Sequence, residues 1–122
     1  MKFSKERHWQ KTEHNQAASI EIGRLAGDYR DWQVTANFYA AVHVMQAYFS
    51  ARTASYPQSH QERDRLIMGS PEIKALWQPY RDLKSLSMST RYFCNPTNDY
   101  DVADSTSLLT EIVEHVTALL LP

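Results

Sequence analysis

The chain has one cysteine, three glycines and five prolines among 122 residues, and no apolar run long enough, about 18 residues, to cross a bilayer. Each shortage excludes something. Cys94 alone closes no internal disulfide and forms no metal-binding pair, so a reducing, cytoplasmic setting is expected. With so few glycines and prolines, and no long alternation of β-branched and polar residues, helices are the default. Formal net charge is −1, which argues against broad electrostatic binding to nucleic acid but not against a local cluster of arginines. A hydrophobic share of 43% and a charged share of 22% belong to an ordinary globular protein, so one domain over 1–122 is expected. The start, MKFSKERHWQKTEH, is polar and carries no secretory signal if it is the true start.

The stretch Asp31 to Tyr56 organises the rest. Val34, Phe38, Ala41, Val42, Met45, Tyr48 and Phe49 recur at three- and four-residue steps, a stripe that predicts core. Beside it Tyr39, His43, Gln46 and Ser50 follow the same spacing. That polar seam needs partners, and the plain reading is that its atoms bond to a neighbouring helix.

A first helix is predicted over Lys5 to Leu25, with Trp9, Ala17, Ile20, Ile22 and Leu25 inward. It ends at Gly27, in a turn short enough to send the central helix back antiparallel. The central helix fades near Ala54, ahead of Pro57. Ser59 and Glu62 have capping-box spacing and start a short helix to about Met68. Gly69 stops it. Ser70 and Pro71 then predict a helix start, with Glu72 to about Tyr92 helical and Pro79 kinking or splitting that rod near Trp77. Cys94 to Asp101 reads as a loop, and Val102 to Leu121 as a last helix. The sum is an all-α antiparallel up-and-down bundle of four long helices plus one short helix.

Two clusters could carry chemistry. HQERDR, His60 to Arg65, places His60, Arg63 and Asp64 on one side of a short helix. A histidine there could act as general acid/base while an arginine steadies a phosphate, or the cluster is solvated decoration. STRYF, Ser89 to Phe93, offers Arg91 and Tyr92; Arg91 either caps helix-end carbonyls or faces the same recess as His60. Convergence of His60, Arg63 and Arg91 with Tyr39 or His43 is expected. The five histidines show no paired ligand spacing and there is no HExxH, so no metal site is expected, nor any other cofactor.

FYAAVHVMQAYF, SHQERDRLI and YRDLKSLSMSTRYF resemble, in order and spacing, the helical HEPN superfamily, especially its small stand-alone prokaryotic members. The similarity covers about Asp31 to Tyr92. It implies a four- to five-helix bundle, a homodimer, and either metal-independent RNA cleavage in toxin–antitoxin, CRISPR-linked or anti-phage systems or a non-catalytic role beside a nucleotidyltransferase or antitoxin. The family's catalytic signature is an arginine, four to six residues, then a histidine. Arg52 and His60 have seven residues between them, and Arg7 and His14 have six but lie in the first helix. On the ribonuclease reading His60 is the acid/base, Arg63 or Arg52 holds the scissile phosphate, and Tyr39, His43, Arg91 and Tyr92 bind substrate. The alternative is a protein- or nucleotide-binding module that uses the Tyr39 and His43 seam without breaking bonds.

Overall fold

In the computed structural model, which describes residues 2–121, the second helix is buried along nearly its whole length from Val34 to Phe49. A helix apolar on most sides must sit at the centre of the packing. This helix, α2 (Arg30–Arg52), touches α1 (Lys5–Gly23), α4 (Trp77–Tyr92) and α5 (Asp99–Leu120), while the short α3 (His60–Gly69) and one 3-10 turn (Lys74–Leu76) complete the chain. No strand occurs among the described residues. Paired positions give the directions. His8 meets His43 and Ser19 meets Gln33, so α1 runs antiparallel to α2; Asn37 meets Ser105 and Arg52 meets Leu119, so α5 runs parallel to it. The central stripe packs as the spacing predicts: Phe38, Ala41, Val42, Met45, Tyr48 and Phe49 join Ile67, Ile73, Leu76, Tyr80, Leu83, Leu109, Ile112 and Val116 in one core.

The inner face of α1 differs from the expectation. Ile20 and Leu25 are 59% and 57% exposed, Ala17 is exposed too, and the residues buried against α2 are His8, Thr12 and Ser19. The reason lies in hydrogen bonding at close range. Thr12 Oγ1 donates to Ala40 O at 3.2 Å, Ser19 Oγ donates to Gln33 O at 3.2 Å, and Gln33 Nε2 donates to Ser19 O at 3.2 Å. Small polar side chains let two backbones approach and still satisfy every atom. At Gly23, the last residue of α1, a Cβ would stand 2.6 Å from Gln33 Nε2, so the missing side chain leaves room for the glutamine to cross. Gly27 supplies the left-handed turn residue at φ 101.

Two helix starts also move. Ser70 caps the C-terminus of α3 rather than opening the next helix: its N–H bonds Ile67 O and its Oγ donates to Leu66 O at 2.6 Å. Pro71 lies in the turn that follows, and the rod is split ahead of Trp77. Pro79 is thereby the third residue of α4, a position whose N–H has no intrahelical partner, so it bends nothing. The last helix starts at Asp99, three residues before the expected Val102, because Asn98 and Asp101 form a reciprocal capping box. Ser59 makes half of its own box. Its Oγ accepts from Glu62 N at 3.1 Å, while the Glu62 carboxylate accepts from Gln58 N at 3.4 Å instead.

Candidate anion site on the second, third and fourth helices

The polar seam of α2 finds its partners on five different segments. Tyr39 OH accepts from Arg91 Nη1 at 3.1 Å, His43 Nδ1 lies 3.0 Å from His8 Nδ1, and Ser50 Oγ donates to Phe3 O at 2.8 Å. Gln46 works at both ends. Its Nε2 donates to Pro57 O at 2.9 Å and its Oε1 accepts from Arg63 Nε at 3.0 Å. An apolar helix that presents an amide to a loop carbonyl and a guanidinium fixes the angle at which α3 leaves the loop.

Arg63 is the centre of the site. Its residue is only 6% exposed, its Nε bonds Gln46, and its Nη1 donates to His60 Nδ1 at 3.1 Å. Both partners are neutral. No carboxylate lies within salt-bridge distance of it among the described residues; the neighbouring Asp64 bonds Lys84 Nζ at 2.6 Å. Burying a cation beside neutral dipoles is costly unless an anion arrives. Arg91 repeats the pattern, with Nε donating to Ser87 O at 3.3 Å and Nη1 to Tyr39 OH, and its guanidinium stacks on the Tyr39 and Tyr92 rings at 5.5 and 5.0 Å. Between the two arginines the exposed His60 packs its ring on Phe38 and Tyr39, centroids 5.7 and 6.3 Å apart. Of the charges acting on His60, Arg63, Lys84 and Arg91 are cations and Asp64, bonded to Lys84, is the carboxylate.

The Arg63 contact determines what His60 can do. A guanidinium N–H at Nδ1 requires a lone pair there, so the neutral ring carries its proton on Nε2 and presents a donor. Burial, then the charges of Arg63 and Lys84, push the His60 pKa below its ordinary value. The ring is thus held neutral.

Beneath the cations lie buried atoms without hydrogen-bonding partners: Tyr80 OH, Ser87 Oγ and Asp64 Oδ1. Burial is the largest cause raising the Tyr80 pKa well above its usual value; the Arg63 guanidinium lies near enough to oppose that shift but makes no hydrogen bond of good geometry to the hydroxyl. An unpaired buried hydroxyl costs about 1–3 kcal/mol. Tyr80→Phe is therefore expected to unfold at an equal or higher temperature in a thermal melt. A loss of more than about 1 kcal/mol would mean that the hydroxyl is bonded after all.

The expected residues are therefore brought together in part. His60, Arg63, Tyr39 and Arg91 form one contiguous set, with Tyr92, 65% exposed, at its edge. His43 sits one turn from Gln46 and feels the charge of Arg63. Arg52 is elsewhere: it donates to Leu119 O at the end of α5 and lies 3.8 Å from Glu72, because a helix C-terminus gathers unpaired carbonyls that attract a cation. His8 and Tyr56 were not singled out by spacing. Their place beside His43 comes from the α1 to α2 register, for which local sequence carries no signal. Among the described residues no three His, Cys, Asp or Glu side chains are grouped to hold a metal ion.

No family model, curated protein or solved structure matches this chain. The chemistry of the site is that of a donor-rich face suited to an oxyanion.

Proposed function

We propose that this face binds the phosphate backbone of RNA, and that the chain is a HEPN-like component of a prokaryotic toxin–antitoxin or anti-phage system, acting as a cytoplasmic homodimer. The observation that carries the reading is the buried Arg63 guanidinium with only neutral partners, flanked by the half-buried Arg91, whose partners are neutral too. Arginine forks match phosphate oxygens in geometry as well as charge. Tyr39 OH, which accepts from Arg91, keeps its own proton free to donate.

Cleavage asks more of the site than binding. A base at His60 needs a free lone pair, and Arg63 occupies Nδ1. A phosphate that draws the guanidinium toward itself releases that lone pair, so His60 becomes a base only with substrate in place. The same occupied nitrogen favours the second reading, a nucleotide- or protein-binding module, such as the partner of a nucleotidyltransferase, that makes no bond changes.

Fluorescence anisotropy with a short labelled single-stranded RNA in chelator tests the proposal. Arg91→Ala is expected to weaken binding about tenfold, and to lower the slope of log affinity against log salt by about one, with helix content unchanged. Equal affinity in the variant and the wild type would remove RNA from this face. Strand scission lost in His60→Ala would identify a ribonuclease, and tight binding without scission would identify the binding module.

A further inference from the structure

Phe3, Tyr56, His8 and His43 form a hydrogen-bonded row with a direction. The Phe3 N–H donates to Tyr56 OH at 3.2 Å, which occupies one lone pair of that oxygen. Tyr56 OH lies 2.6 Å from His8 Nε2. That separation falls below the usual range of about 2.7–3.2 Å for N–H donation and inside the range for O–H donation, so the phenol is the donor and Nε2 the acceptor. His8 must then carry its proton on Nδ1, and it spends that proton on His43 Nδ1 at 3.0 Å. His43, accepting at Nδ1, holds its own proton on Nε2. That Nε2 has no protein partner among the described residues and is not among the buried unpartnered atoms, so it is open to solvent. The rings of His8 and His43 stack with centroids 5.2 Å apart, which holds the row in register.

We propose that His8 and Tyr56 are positioning residues that lock His43 in the Nε2–H tautomer, adding a neutral donor beside Arg63 for a phosphate oxygen. This rests on the reading of the face as an anion site. Before any anion binds, Arg63 holds His60 in the same Nε2–H tautomer. The groups acting on the His43 end of the row are His8 and Lys11 from α1 and Arg63 from α3, all donors or cations. The carboxylate of this face, Asp64, acts on His60 and is bonded to Lys84.

Long-range nitrogen-proton NMR of the histidine side chains near pH 7.5 reads the tautomers directly. His43 is expected as Nε2–H and His8 as Nδ1–H. In Tyr56→Phe the His8 constraint is gone and both rings are expected to mix tautomers, while binding of inorganic phosphate weakens three- to tenfold and circular dichroism stays unchanged. His43 found with its proton on Nδ1, or tautomers unmoved by Tyr56→Phe, would overturn the proposal even if phosphate binds. Tautomers as described in a wild-type protein that ignores phosphate would leave the row standing and would remove both the anion site and the role given to His43 in it.

Discussion

Lys84→Met should cost about 2–3 kcal/mol of stability, and the melting temperature should fall by about 10 °C. Lys84 Nζ lies 2.6 Å from Asp64 Oδ2, the two side chains are 21% and 18% exposed, and the other carboxylate oxygen, Oδ1, is buried without a partner. Removing the lysine leaves a mostly buried carboxylate with neither oxygen bonded. An exposed ion pair would be worth under about 1 kcal/mol, so burial sets the size of this effect. Removing both charges should undo most of it. Asp64→Leu with Lys84→Met is expected within about 1 kcal/mol of the wild type, because an apolar pair needs no solvation. Denaturant unfolding of the two single variants and the double variant closes the cycle. Additive losses would show that the pair acts as two separate surface charges, and would weaken the claim that α3 is pinned to α4 at this point.

The second large effect is with acid. His43 titrates at about 4, below the ordinary histidine value of about 6.5, first because it is buried and then because His8, Lys11 and Arg63 stand near it. Burial and Arg63 also lower His8. Between pH 6.5 and 4 the unfolded chain takes up protons that the folded chain refuses. The unfolded state then binds more protons, so stability rises with pH across this window and is lost as pH falls through it. With the His43 ring partly open to water, the loss assigned to it is about 1–2 kcal/mol, less than the bare shift implies. Two protonated rings cannot keep an Nδ1 to Nδ1 bond, since each nitrogen would then point a proton at the other. Chemical denaturation at pH 7, 5.5 and 4.5 checks this, with His43→Gln expected to flatten the dependence. A slope unchanged in that variant would assign the acid sensitivity to other groups.

Some of this was legible in local sequence. The apolar stripe on α2 and the face of α5 follow from spacing alone, because a 3.6-residue period puts those side chains on one side of a rod whatever the rod meets. The Tyr39, His43, Gln46 and Ser50 seam was readable as a demand for partners, since polar atoms on a buried helix must be bonded. Less visible was α1, where Trp9 packs against the core as its spacing suggested but Ala17, Ile20 and Leu25 lie on a face that the fold does not bury. Its contact is built from His8, Thr12 and Ser19, and hydrophobic period has no sensitivity to a small, hydrogen-bonded interface. Ser70 misled for a related reason. A serine followed by proline opens a helix in many settings, but here Leu66 O lies within reach of its hydroxyl and holds it to the helix it follows.

By itself, the sequence determined an all-helical chain, the residues of its central rod, and a cluster of histidine, arginines and acids over His60 to Arg65. Periodicity and composition are local, and they survive any arrangement of the rods. Only the tertiary structure decided that Arg63 is buried against Gln46 and His60, that Arg91 reaches Tyr39 across the bundle, that Arg52 is taken up by the end of α5, and that His8 and Tyr56 stand behind His43. Those contacts join residues as far as 67 positions apart, and nothing short of the packing of whole helices fixes them.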